Sequence, residues 1–126
     1  TDTGDHWKSY NPALPPSVND LADINNHMAL WVHVVAPEGT SLVCTGTAPV
    51  STSIQMAAGW NFVSYPSLTA GVTVNSALTG IPWDIVEGYD GGNPYFVSEM
   101  NGFDYMVPGE GYWVHVTSDA LWTVDW

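Results

Sequence analysis

The sequence predicts an all-β, sandwich-like domain with one or two short helices, built from an internally duplicated half-module. Three observations predict it. Short runs rich in Val, Ile, Thr, Trp, Tyr and Phe recur along the chain and are broken by Gly, Pro, Asn and Asp, the composition of strands joined by tight turns. The segment Trp31-Val32-His33-Val34 returns letter for letter as Trp113-Val114-His115-Val116, 82 residues further on. The 126 residues are 45% hydrophobic and 13% aromatic but only 11% charged, enough apolar material for one packed core, while the longest apolar runs fall far short of the ~20 residues of a membrane span.

Strands are expected at 29–36, 40–46, 53–57, 60–65, 84–89, 94–98, 112–117 and 120–126. Regularly spaced short strands with turn signals between them belong to sandwiches or barrels. Two short helices fit between them. One lies in the segment from Pro15 to Ile24, with Ser17 as its N-cap; the other runs from a Thr73 cap to a Gly80 stop. Turns are expected at Pro37-Glu38-Gly39, Gly91-Gly92-Asn93-Pro94 and Pro108-Gly109-Glu110-Gly111, where Gly and Pro supply the required backbone angles.

The repeat extends beyond the four shared letters. Upstream, Tyr10-Asn11 corresponds to Tyr89-Asp90; downstream, the strand around Leu42 to Thr45 corresponds to that around Leu121 to Val124. The stretch between the copies occurs once. With a unit of about 80 residues, residues 1–48 read as the second half of one unit and 49–126 as a complete one. Either the chain is cut from a longer tandem array, or one domain arose by incomplete duplication. A 48-residue half would bury little apolar surface alone, so the expected organisation is a single compact β domain, 1–126, with the half-repeat 1–48 packed on the full repeat 49–126. The connector from Thr45 to Ser53 reads as a linker or an inter-strand loop. The chain starts at Thr1 without an initiator Met, the mark of a processed product or a piece of a longer protein.

Charge removes several classes of partner. Thirteen Asp and Glu face one cation, Lys8, for a formal net charge of -12. Nucleic acid and anionic lipid are held by clustered Lys and Arg, which this chain cannot supply, so neither is an expected partner. The lone Cys44 forbids an internal disulfide and is expected to be a small buried apolar residue.

Catalytic and metal patterns are sparse. His6, His27, His33 and His115 form no H-E-x-x-H or Cys/His pattern. His33 and His115 each lie two residues beyond a Trp, on the same strand face. The Trp-His pair is either a core indole beside a hydrogen-bonded imidazole, or a platform on which a sugar ring stacks and bonds. On the second reading, Trp31, His33, Trp113 and His115, with Tyr112 beside them, are the candidate ligand-binding residues. Asp84, Glu87 and Asp90 are weak calcium candidates: they offer hard oxygen ligands but lack the D-x-D-x-D-G loop, and strand alternation would send Asp84 and Glu87 to opposite faces. No other cofactor is expected. There is no G-x-S-x-G elbow, no phosphate-cradling Gly-rich loop and no Arg clamp. Seven tryptophans are many for one small core, and one or two are expected at a ligand or subunit contact.

Two signatures carry a family resemblance: GWN-x-V-x-YP at Gly59 to Pro66, and M-x-PG-x-GYW at Met106 to Trp113. Together with the segments Asn19 to Val34, Gly39 to Leu68, Val74 to Ile81 and Ile85 to Asp90, they resemble a module of secreted and cell-surface proteins of archaea, chiefly euryarchaeal lineages. The resemblance covers nearly the whole chain. It implies an extracellular, cell-surface location, in the C-terminal or tandem part of large proteins beside Ig-like or peptidase domains. It implies no catalytic residues. Where relatives have Gly before the first Trp-bearing strand, this chain has Met28-Ala29-Leu30, which makes the first copy more apolar and suited to burial against a neighbour. The expected function is therefore noncatalytic: a structural or adhesive module that self-assembles into fibres or arrays, with itself or neighbouring modules as partners. The alternative is a carbohydrate-binding module using exposed Trp and Tyr. A hydrolase would need a cleft of convergent carboxylates or a Ser-His pair.

Overall fold

The structure, a computed structural model, describes residues 7–41, 43, 45–90, 93 and 96–126. These residues form an all-β molecule of eight strands: β1 (Ser51–Met56), β2 (Gly59–Ser64), β3 (Val72–Thr73), β4 (Trp83–Tyr89), β5 (Val97–Met100), β6 (Tyr105–Met106), β7 (Gly111–Val116) and β8 (Ala120–Asp125). Every pairing is antiparallel. A four-stranded sheet has the order β2-β7-β4-β5, β1 pairs with β8, and β3 forms a two-residue ladder with β6.

Alternation along the strands builds the core. Thr52, Ile54 and Met56 of β1 are buried with Trp122 and Val124 of β8, and they meet Val63, Val86, Tyr112, Val114 and Val116 of the larger sheet. The layers are joined by aromatic contact as well as aliphatic packing. Tyr65, just past β2, stacks on Trp122 with 6.4 Å between ring centroids. The indole N–H of Trp122 donates to the Ala77 carbonyl at 2.7 Å, so the largest buried side chain leaves no polar atom unsatisfied.

The short helix α1 (Val74–Ala77) closes one end of the core with Val74 and Leu78. It begins as expected: the Thr73 hydroxyl accepts from Ser76 N at 3.3 Å, and Gly80 takes φ 81° in the turn that ends the segment. The other expected helix is only a 3-10 turn, Pro16–Val18, with Pro15 at the N-cap position and Ser17 inside it. Its would-be second turn is diverted. Asp20 and Asn19 reach back to accept from Ser9 N at 2.6 Å and Asn11 N at 2.8 Å, a side-chain competition that favours folded-back loops over helix.

The two first-copy strands expected at 29–36 and 40–46 do not form among the described residues. None of the described residues before Ser51 is buried. The cause is pairing rather than propensity. In the second copy, Trp113–Val116 lies between β2 and β4 and bonds to both; the same letters at Trp31–Val34 have no paired strand among the described residues, and a strand is stable only through its neighbours. Among the described residues, one isolated bridge, Met28 to Val63, is the only ladder contact of this segment with the sheet. Cys44, His6 and most of the Gly91–Pro94 turn lie outside the described residues.

The two signature motifs are corners. At the first, Gly59 has φ 104°, and Asn61 brackets the passage from β1 to β2. Its Oδ1 accepts from Ala57 N at 3.0 Å while its Nδ2 donates to the carbonyls of Ala57 (2.8 Å) and Gly59 (3.0 Å). At the second, Pro108-Gly109 forms a tight turn closed by Glu110 N to Val107 O at 3.2 Å, with Gly109 at φ 81°. Tyr65 and this turn hold one another, Tyr65 N donating to Glu110 O and Gly109 N to Tyr65 O.

Candidate functional site

The outer face of the four-stranded sheet is aromatic. Period-two alternation that sends Val63, Val114 and Val86 inward sends Trp60 and Phe62 of β2, Trp113 and His115 of β7, and Glu87 and Tyr89 of β4 outward. Register then sets the neighbours. Phe62 stands opposite Trp113, and Trp60 opposite His115. The Phe62 and Trp113 rings stack with centroids 4.7 Å apart at 26°, and Trp60 meets the His115 ring edge-on at 5.2 Å.

The irregular N-terminal segment crosses this face and adds two indoles to it. Trp31 stacks on Phe62 at 5.8 Å and 13° and meets Tyr89 edge-on at 5.1 Å. Trp7 packs against Trp113 at 5.5 Å. Gly111 of β7 makes room for the crossing: a Cβ there would lie 2.8 Å from the Ala29 Cβ and 3.3 Å from the Phe62 ring. Under the crossing strap is an open cleft of about 300 Å³, lined by Leu30, Trp31, Phe62, Tyr89, Trp113 and Glu110 among others.

A β-bulge supplies the polar end of the face. Trp83 pairs with Val116 and Ile85 with His115, so Asp84 is an extra residue in β4. The irregularity carries its carboxylate to within 2.6 Å of His115 Nδ1. A carboxylate only accepts, so Nδ1 carries the proton. An imidazole oriented by a carboxylate also occurs in hydrolytic triads. Here its cross-strand neighbours are Trp60 and Ile85, which offer neither hydroxyl nor thiol as a nucleophile.

The residues singled out from sequence divide accordingly. Trp31 and Trp113 come together on the aromatic face, both through Phe62, and His115 lies at its edge. His33 is exposed on the irregular segment and belongs to no strand. Tyr112 is a core residue, 2% exposed, and not part of the face; its hydroxyl accepts from Val107 N at 2.7 Å and donates to Glu110 at 3.3 Å. Burial, aided by the nearby Glu110 charge and opposed by the Val107 hydrogen bond, pushes the Tyr112 phenol up to about 12. Asp84 and Glu87 are not scattered as simple alternation predicts, because the bulge turns Asp84 toward His115. Among the described residues, no three His, Cys, Asp or Glu side chains converge as a metal ion would require.

Sequence reasoning passed over Trp60, Phe62 and Tyr89. The signal for the first two was available: in Trp60-Asn61-Phe62 the aromatic residues flank the corner-forming Asn61 at the spacing seen in Trp113 and His115. A comparison with protein-family models, curated proteins and solved structures returns no match to this chain.

Proposed function

We propose that this chain is a noncatalytic structural and adhesive module of an extracellular surface protein, which joins copies of itself or neighbouring modules through its N-terminal half-repeat. One observation carries the reading. Four letters that make a central, doubly paired strand at Trp113–Val116 lie exposed at Trp31–Val34, without a paired strand among the described residues, with Val32 73% and Val34 45% exposed. Apolar, β-prone backbone without partners is a template for association. Light scattering across a concentration series, with electron microscopy of the same full chain, tests it. Regular fibres, sheets or discrete oligomers support the module; a monomer at every concentration overturns self-assembly.

Glycan binding is the second reading, favoured by Trp60, 48% exposed beside the oriented His115. Apolar sugar faces stack on indole while hydroxyls bond to nearby polar tips. The Trp60 and Trp113 planes lie at 85°, so a sugar would use one indole face rather than a coplanar pair. Quenching of tryptophan emission by oligosaccharides in the wild type but not in Trp60→Ala is the expected result; equal quenching in both would remove this reading.

A further inference from the structure

β2 is an open edge. β7 occupies one side of it, and on the other the only strand contact among the described residues is the Met28–Val63 bridge. Pairing starts there and stops. Ser64 Oγ donates to the Asn26 carbonyl at 2.8 Å, Met28 bridges Val63, and then the chain leaves the edge to cross the outer face, Ala29 lying over Gly111 and Trp31 over Phe62. In this position the segment does not continue along its own β2, and among the described residues the backbone of Gly59–Phe62 has no strand on that side.

The segment nevertheless has the side-chain pattern this edge requires. Carrying the antiparallel register on from Met28 and Val63 sets Leu30 against Asn61, Trp31 against Trp60, and Val32 against Gly59. Cross-strand partners share a sheet face. Met28, Leu30 and Val32 would then point to the side of Val63, which is buried, and Trp31 would join Trp60 on the aromatic side. Residues 113–116 already sit this way on the opposite side of β2, with Val114 and Val116 buried and Trp113 outward.

We propose that the edge of β2 accepts residues 28–32 of a second copy of this chain as a fifth strand, in place of the chain's own Met28–Val63 bridge, with Trp31 of one copy opposite Trp60 of the other. The contact rests on the self-associating module described above and names its edge. Each copy carries both the strand and the edge, so exchange closes into a pair when it is reciprocal and runs on as a filament when it is not. The added strand satisfies edge hydrogen-bonding groups and covers apolar side chains that lie exposed in the single chain.

Two full-length variants, Trp31→Cys and Trp60→Cys, each with Cys44→Ala, test the register. Mixed and oxidised, they are expected to give a disulfide between positions 31 and 60 of different chains, in excess of either self-pair by mass spectrometry. Failure of that cross-link to form overturns the proposal. So does a double variant that closes only within one chain, since it would show that the segment swings onto its own edge. In a second measurement, Ala29→Pro removes the backbone N–H that this register sets against Phe62, whose own N–H and C=O alternate with those that Tyr65 directs to the β7 side, and is expected to weaken association about tenfold. If the wild type associates but the variants show neither the cross-link nor the proline effect, the β2 contact falls and the module reading stands; if the wild type does not associate, both fall.

Discussion

Asp84 and His115 are joined across a β-bulge, Oδ1 to Nδ1 at 2.6 Å, on a sheet face rich in aromatic rings. The extra residue in β4 fixes which imidazole nitrogen is protonated and how the ring stands against Trp60. Both side chains are partly exposed, and such pairs contribute roughly 0–1 kcal/mol. Asp84→Ala is therefore expected to change unfolding free energy by less than about 1 kcal/mol. Nitrogen-15 shifts of the His115 ring should nevertheless change, because the carboxylate that holds Nδ1–H is gone. Unchanged shifts would mean that the bulge does not orient the ring.

Asn61 bridges the corner between β1 and β2 with one accepted and two donated hydrogen bonds to Ala57 and Gly59. At a net ~1 kcal/mol for a typical bond, with partial compensation by water at an exposed corner, Asn61→Ala should cost about 2 kcal/mol. Asn61→Asp keeps the acceptor and loses the donors, so it should fall between the two. Urea unfolding of the three proteins gives the order directly. An Asp variant as stable as wild type would show that the donated bonds contribute nothing.

Legibility from sequence followed the availability of a partner strand. The second copy, the Thr73 cap, the Gly80 stop and the turn at Pro108 were readable because propensity, turn chemistry and pairing agree there. Residues 29–36 carry the same strand signal, but pairing is a long-range property that the letters do not contain. Trp31 accordingly appears on the aromatic face as a strap and not as part of a strand. Asp84 was misplaced for a local reason: a bulge shifts the period-two count by one, and nothing in Trp83-Asp84-Ile85 announces it. Tyr112 alternates with Trp113, so a reading that grouped the two on one surface ignored the pleat.

Two tryptophans measure the contrast between core and face. Trp122 is 1% exposed, stacks on Tyr65 and donates to Ala77 O, whereas Trp60 is 48% exposed. Trp122→Phe removes buried volume and leaves the Ala77 carbonyl without its side-chain donor, a loss of about 2–3 kcal/mol. Trp60→Phe should stay within about 0.5 kcal/mol of wild type. Equilibrium denaturation of both variants decides the matter, and similar losses would place Trp60 in a cooperative core that its exposure does not suggest.

Tyr112 gives the fold an alkaline limit. Its phenol is neutral when protonated, and burial raises its folded value from 10.0 to about 12. Below pH 10 the hydroxyl is protonated in folded and unfolded chains alike, and its stabilising contribution is fully present. Between pH 10 and about 12 the unfolded chain releases the proton while the folded chain retains it, so stability falls as pH rises. Tyr112→Phe should cost about 1–2 kcal/mol at neutral pH, because Val107 N–H loses its acceptor, yet show a flatter decline above pH 10. Unfolding free energies measured from pH 8 to 12 on both proteins test the sign, and parallel declines would show that Tyr112 does not set the limit.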